Sequence, residues 1–198
     1  MKAINNFEKL FDLTYQTSKQ KEYLSFHKKR FKCIYEIICK LNPRNILDIG
    51  SSRFTYLLKK EGRNINVLNK SDCNLEIEKI PFKDNLFDLV IYGEVIEHLH
   101  TNYLGSLKEI YRILKPKGFL LFETPNSRSL RKIFGIGNIN KGHIREFSMK
   151  ECSMMLQKAD FDIVFTKKDP IHFLYYLIVK LVPKLRESIL CLGMKKEK

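Results

Sequence analysis

Short apolar stretches that alternate with segments of helical periodicity are the feature that most restricts the fold of this sequence. The first apolar stretch, NILDIG at 45–50, ends in a glycine, and similar stretches occur at 65–69, 86–92 and 119–123. Several segments around them carry an apolar residue every three or four positions, which is typical of amphipathic helices. Strands that alternate with helices form parallel sheets through crossover connections. The sequence therefore predicts an α/β fold, with a doubly wound sheet and helices on both faces.

The same periodicity and the helix-ending residues predict where the helices lie. Helices are predicted at 31–41, at 54–60, at 94–114 with Pro116 to Gly118 closing it, and from Ser148 onward. Ser148 and Glu151 have the spacing of a capping box. Strands are predicted at 162–167 and 187–194, and a loop or short helix over the ligand site at 126–143.

We expect one domain over residues 1–198, because no linker or internal repeat interrupts the pattern. Its parts are an N-terminal helical segment at 1–43, a core of alternating strands and helices at 44–169 that would hold the ligand site, a helical insertion or lid at 170–186, and a last strand with a basic tail at 187–198.

The chain is strongly basic. Lys and Arg number 36 against 22 Asp and Glu, which gives a formal net charge of +14. Such a charge favours an anionic partner such as RNA, a phosphate-bearing substrate or lipid headgroups. Lysines spread along a whole chain are equally typical of an ordinary solvated surface.

Cysteine usage and apolar stretches predict the compartment. The five cysteines form no CxxC pair, so we expect a reducing, cytoplasmic location. The first residues lack the apolar core of a secretion signal. The apolar stretch at 171–182 is shorter than the ~20 residues that span a bilayer. Its helical spacing and basic flanks predict peripheral membrane contact, a lid over the site, or a dimer contact.

Ligands of doubly wound sheets bind at the carboxyl ends of the strands, where the winding reverses. Near one such end, Glu94, Glu97 and His98 have the spacing that places side chains on one helix face. Two carboxylates and an imidazole are suitable ligands for Mg, Mn or Zn, and His143 is a candidate fourth ligand from the later loop. Without a metal, the acids would cap the helix and His98 or His143 would be the catalytic general base.

Four motifs occur in a characteristic order. They read ILDIGSS at 46–52, IPFKDNLFDLVIYGEVIEHL at 80–99, KEIYRILKPKG at 108–118 and FETPN at 122–126. Together they resemble the class I S-adenosylmethionine-dependent methyltransferases, especially the O-methyltransferases of ubiquinone biosynthesis. The resemblance implies S-adenosylmethionine as cofactor and a Rossmann-like sheet of seven strands, mostly parallel with an antiparallel last strand.

The resemblance also implies which residues face the cofactor. Those residues are Asp48, Gly50, Ser51, Ser52, Asn69, Asp72, Gly93 and Glu94. The family usually has further glycines where Ser51 and Ser52 stand, because the backbone turns tightly against the cofactor there. It also usually has an acid at the position of Asn69, and Asp72 is a candidate substitute.

Three functions follow from the resemblance. The first is O-methylation of a small-molecule or glycan acceptor. The second is 2′-O-methylation of RNA ribose with a metal held by Glu94, Glu97, His98 and His143, since RNA-methylating relatives carry a similar set. The third is a non-catalytic, methyltransferase-like partner protein, which the altered glycine loop favours.

Overall fold

The structure is a computed structural model that describes residues 18–50, 52, 54–127, 142–164 and 188–197, together with Phe7 and Phe11. The helices are α1 (Ser18–Leu41), α2 (Phe54–Lys60), α3 (Tyr103–Ile113) and α4 (Met149–Lys158). The strands are β1 (Ile46–Ile49), β2 (Ile65–Leu68), β3 (Phe87–Gly93), β4 (Leu114–Pro125), β5 (Phe161–Ile163) and β6 (Ser188–Lys195).

One sheet holds all six described strands in the order β2-β1-β3-β4-β6-β5. The pairs β2–β1, β1–β3 and β3–β4 are parallel, and β6 runs antiparallel to both β4 and β5. The antiparallel last strand was predicted. Because the chain passes from β1 to β2 on one side and returns to β3 on the other, the winding reverses between β1 and β3. That reversal defines where a ligand site is expected.

The predicted seventh strand is not found among the described residues. The chain between β2 and β3 forms turns there, closed by backbone hydrogen bonds from Ile77 and Glu78 to the Asn74 carbonyl of 3.1 and 2.8 Å. Polar residues that satisfy their own backbone locally leave no extended segment to pair with β2.

Helices cover both faces of the sheet, as predicted. In β3, Val90 and Tyr92 belong to a buried cluster that includes residues of α3 and α4. The alternate residues, Leu89 and Ile91, belong to a second cluster that includes residues of α1 and α2. Successive side chains of a strand point to opposite faces, so an apolar run with no polar alternation buries both faces.

The helix predicted at 94–114 is wrong in its first part. A short 3-10 helix covers Ile96–His98, and α3 starts only at Tyr103. The Glu76 carboxylate accepts hydrogen bonds from the backbone N–H groups of His100, Thr101 and Asn102, the last at 3.1 Å. A carboxylate from another segment thus binds the backbone that leads into α3, up to its N-cap Asn102, and α3 begins at the next residue.

The segment Pro116 to Gly118 was expected to close the third helix, but it lies inside β4. The helix ends at Ile113, and the pairing of β3 with β4 shifts register between Phe87 and Leu89. Lys117 has a φ of 61°. The irregular residues therefore form a bulge at the strand start.

The predicted helix after Ser148 is confirmed with its capping box. The Ser148 side chain accepts from the Glu151 backbone, and the Glu151 carboxylate accepts from the Ser148 backbone N–H at 2.8 Å. The predicted insertion at 170–186 and most of the predicted loop at 126–143 lie outside the described residues. Within the described part of the chain, no helix combines the length and the apolar character that a membrane span requires.

Candidate functional site

The carboxyl ends of β1, β3 and β4 meet at one edge of the sheet. Asp48 of β1 pairs in register with Ile91 of β3, and Gly93 at the end of β3 pairs with Glu123 of β4. Residues that are far apart in sequence therefore lie side by side at the reversal of winding. All the site residues described below are attached to this edge or to segments packed on it.

Asp48 is buried and contacts the start of α2. Its Oδ2 accepts hydrogen bonds from the hydroxyls of Ser52, at 2.5 Å, and Thr55. Its Oδ1 has no hydrogen-bond partner among the described residues. Burial raises the pKa of Asp48, while the two hydroxyl hydrogen bonds act against that rise. Asp48 thus holds the turn after β1 and still offers one buried acceptor. Ser51 lies outside the described residues.

Gly50 forms the turn at the end of β1. Its φ is +90°, and a Cβ at this position would lie 2.6 Å from Cγ2 of Val95. Its backbone N–H donates to the Leu68 carbonyl at 2.9 Å, which ties the turn to β2. Only glycine meets both the conformational and the steric condition, and the resulting backbone is open to a ligand that approaches closely.

Asn69 and Asp72 form one unit just after β2. Asp72 Oδ2 accepts from the Asn69 backbone N–H at 2.8 Å and from the Asn69 side chain at 3.2 Å. These hydrogen bonds, the backbone one above all, lower the pKa of the exposed Asp72 carboxyl. Asp72 therefore places a carboxylate beside Asn69, the position at which the resemblance implies an acid.

Glu94 follows β3 in a left-handed conformation, with a φ of 57°. Its Oε1 lies 3.3 Å from Nη1 of Arg30, which α1 carries into the site. Nε of Arg30 lies 3.1 Å from Oε1 of Glu123, which makes an ion pair without the alignment of a hydrogen bond. Arg30 also donates a hydrogen bond of 2.5 Å to Oγ of Ser188. Burial raises the pKa of Glu123 to about 7, although the Arg30 charge opposes the rise.

Glu97, His98 and His143 form a cluster of metal-ligating groups. One ligand atom from each of the three residues lies within 4.8 Å of the others. Glu97 is fully buried; its Oε2 accepts from the Thr124 hydroxyl at 3.0 Å, and its Oε1 has no partner within the described part of the chain. Burial, followed by the charge of Glu94, raises the pKa of Glu97 to about 8.

The two histidine rings are held through the same ring nitrogen. His98 Nδ1 lies 2.7 Å from the Gly142 carbonyl, and His143 Nδ1 lies 3.3 Å from Glu146 Oε1. Carbonyl and carboxylate oxygens accept hydrogen bonds, so Nδ1 is the donor, and in a neutral imidazole with this tautomer Nε2 keeps its lone pair. Such outer hydrogen bonds are how proteins orient metal-binding histidines.

Backbone contacts bring the His143 segment to Glu97. The N–H groups of Ile144 and Arg145 both donate to the Glu97 carbonyl, at 2.9 and 3.2 Å. Of the four residues predicted as metal ligands, the structure thus brings together Glu97, His98 and His143, while the Glu94 side chain turns to Arg30. His100 is exposed and lies apart from the cluster.

Sequence reasoning did not predict the roles of Arg30, Ser188 and Thr124. Arg30 is one of 36 basic residues, and no pattern distinguishes a buried arginine from a solvated one. Ser188 belongs to an apolar strand near the end of the chain. Thr124, inside the FETPN motif, was the one residue with a signal, because it directly follows Glu123 at the end of a predicted strand.

A mostly parallel, doubly wound sheet with a glycine turn and acids at its reversal point is a Rossmann-like fold of the class I methyltransferase type. A family model described as "Methyltransferase domain" matches residues 47–122. Over that segment, which runs from β1 to β4, the chain is thus similar to a methyltransferase domain.

A curated relative supports the same class. A probable S-adenosylmethionine-dependent methyltransferase of Mycolicibacterium smegmatis is 32% identical over 90 residues, which cover 44% of this chain and 33% of the relative. The chain thus spans about a third of that relative's length.

Two solved structures share the fold. A SAM-dependent methyltransferase from Archaeoglobus fulgidus superposes with a TM-score of 0.61 at 19% identity, covering 95% of this chain and 99% of that one. The 1,6-didemethyltoxoflavin-N1-methyltransferase of Burkholderia thailandensis, solved with S-adenosylhomocysteine bound, gives 0.62 at 16% identity, covering 98% and 88%.

Proposed function

We propose that this protein transfers a methyl group from S-adenosylmethionine to a hydroxyl oxygen of a small-molecule or glycan acceptor, with a divalent metal ion held by Glu97, His98 and His143. The observation that carries the proposal is the arrangement of that cluster. It combines a buried carboxylate oxygen without a described partner and two imidazoles oriented through Nδ1, a few residues from the turn that leaves β3.

The residues at the strand ends fit the cofactor. Gly50 forms an exposed turn whose backbone has no side chain of its own, because a Cβ there would lie 2.6 Å from Val95 Cγ2. Asp48 would face the amino acid part through its buried, unpaired Oδ1, and Asp72 would face the ribose hydroxyls. When bound, S-adenosylmethionine supplies an electrophilic methyl group on a sulfonium.

The cluster residues also fit a divalent metal, because two neutral imidazoles and one carboxylate are a donor set that Zn, Mn and related ions accept. When bound, such an ion lowers the pKa of an acceptor hydroxyl. Thr124 holds the Glu97 carboxylate in place, and Gly142 and Glu146 hold the two rings. A bound cation would keep the Glu97 carboxyl ionised, against the burial that otherwise raises its pKa to about 8, and the proton of the acceptor hydroxyl would pass to solvent on the exposed side of the cluster, at His98.

The test is calorimetric titration with S-adenosylmethionine and S-adenosylhomocysteine, before and after chelation, with Mn²⁺ or Zn²⁺ added back. We expect micromolar cofactor binding in the wild type. In methyl-transfer assays with hydroxylated acceptors, His98→Ala should lose metal-dependent activity. His100→Ala is the matched control, since this neighbouring histidine lies outside the cluster. No cofactor binding at millimolar ligand would contradict the enzyme and favour the non-catalytic partner protein.

RNA ribose is the second acceptor class, and the net charge of +14 is the observation that favours it. Binding to RNA phosphates releases counterions and is therefore strongly sensitive to salt. Retention of a short RNA that falls steeply between low and physiological salt, together with methylation of that RNA, would select this acceptor over a small molecule.

A further inference from the structure

Arg30 faces two carboxylates that differ in exposure. Its side chain is 9% exposed, that of Glu123 is 6% exposed, and that of Glu94 is 37% exposed. The distances are similar, at 3.1 Å to Glu123 and 3.3 Å to Glu94. One guanidinium therefore serves two acids, of which one is enclosed by protein and the other reaches solvent.

The two ion pairs differ in how easily they break. Separating the buried pair would leave an uncompensated charge inside the protein, which is strongly unfavourable. The Glu94 pair is partly solvated, and such pairs contribute little net free energy. Ser188 also accepts a hydrogen bond from Arg30 at 2.5 Å, so Arg30 keeps partners if Glu94 leaves. Glu94 is the exchangeable partner.

Glu94 lies next to the metal-ligating cluster. Its backbone N–H donates to the Glu123 carbonyl at 2.9 Å, so the main chain is held by β4, while its side chain is 37% exposed. Glu94 stands three residues before Glu97, at the turn by which the chain leaves β3 for the segment that carries Glu97 and His98. The cluster supplies three ligands, whereas Zn takes four and other divalent ions often take more.

We propose that Arg30 competes with a divalent cation for the Glu94 carboxylate, and that this arginine thereby sets the metal affinity of the Glu97, His98 and His143 cluster. The inference depends on the proposed metal site. Metal binding must break the Arg30–Glu94 pair before Glu94 joins as a fourth ligand. Arg30 itself remains attached to Glu123 and Ser188.

The test is a double-mutant cycle read by calorimetric titration with Mn²⁺ and by Mn²⁺ electron paramagnetic resonance, without cofactor or acceptor. Arg30→Gln should raise Mn²⁺ affinity about twofold to fivefold, which corresponds to the strength of a partly exposed ion pair. Glu94→Gln should lower the affinity, and Arg30→Gln should have no effect in the Glu94→Gln background. If Arg30→Gln raised the Mn²⁺ affinity equally in both backgrounds, Arg30 would act by general charge repulsion, and the proposed competition for Glu94 would be wrong.

Arg30→Gln leaves Glu123 buried without its cation, so the cycle is repeated with Arg30→Gln and Glu123→Gln combined, which keeps the buried site neutral. Thermal melting shows that each variant is folded. Unchanged Mn²⁺ affinity in both sets of Arg30 variants would overturn the inference and leave the metal site standing. Failure of the wild type and all variants to bind Mn²⁺ would overturn the metal site and the inference together.

Discussion

The hydroxyl of Thr124 donates a hydrogen bond of 3.0 Å to Oε2 of Glu97, and this bond holds the buried carboxylate in one orientation. Oε1 is left without a partner among the described residues. The end of β4 therefore orients a group that the chain supplies 27 residues earlier. A buried acceptor that lacks a donor is costly unless a ligand or a proton satisfies it.

Replacing Thr124 by Val removes this hydrogen bond and keeps the side-chain shape. We expect Thr124→Val to weaken divalent-metal binding about tenfold, as is common when an outer hydrogen bond to a metal ligand is lost. Calorimetric titration with Mn²⁺ measures the change. Thr101→Val is the control, because Thr101 donates to Glu76 on the surface, away from the cluster. Equal losses in both variants would contradict a specific role for Thr124.

Replacing Gly50 by Ala should abolish S-adenosylmethionine binding. The added Cβ would lie 2.6 Å from Val95, and the turn that faces the cofactor would have to move. Gly62→Ala is a matched control, since Gly62 also has a positive φ, of +73°, but nothing lies within 4 Å of the added Cβ. We expect Gly62→Ala to lose about 1 kcal/mol of stability through backbone strain and to bind the cofactor normally. Cofactor titration and urea unfolding of both variants separate the two effects.

Replacing Glu76 by Gln should destabilise the fold by about 1–2 kcal/mol, because a charged acceptor for several backbone N–H groups becomes neutral. The Glu76 carboxylate binds the segment before α3, through Thr101 and Asn102 among others. Asp162→Asn, which removes only a solvated ion pair with Lys196, should change stability by less than about 0.5 kcal/mol. Urea unfolding of the two variants tests the difference, and equal effects would show that Glu76 does not brace this segment.

The capping box of α4 should make stability depend on acid pH. Hydrogen bonds from Ser148, the backbone one first, lower the pKa of Glu151 from 4.5 to about 2. The ionised carboxylate thus stabilises the fold above pH 4.5, and this contribution is lost as the pH falls towards 2. Glu151→Gln should cost about 1 kcal/mol at neutral pH, the usual value of a helix cap, and almost nothing near pH 2. Unfolding free energies measured from pH 2 to 7 would contradict this if the difference were constant.

Most of the fold could be predicted from local patterns. The boundaries of α2, the positions of β1 and β2 within the predicted stretches 45–50 and 65–69, and the capping box at Ser148 followed from residues within one turn or one strand of each other. The prediction failed at 94–102, where the Glu76 carboxylate from a separate segment binds the backbone. The periodicity of apolar residues reflects only residues that are close in sequence, so it carries no information about a carboxylate 24 residues away.

The candidate site likewise has one part that the sequence could predict and one part that it could not. The sequence by itself determined that Asp48, Gly50, Glu97 and His98 end strands or follow them, because motif order and the chain direction of a parallel sheet specify that edge. Only the tertiary structure decided that His143 joins Glu97 and His98, and that Glu94 pairs with Arg30 instead. Those contacts depend on how α1 and the segment before α4 pack on the sheet, and packing between distant segments is a property of the whole fold rather than of any stretch of residues.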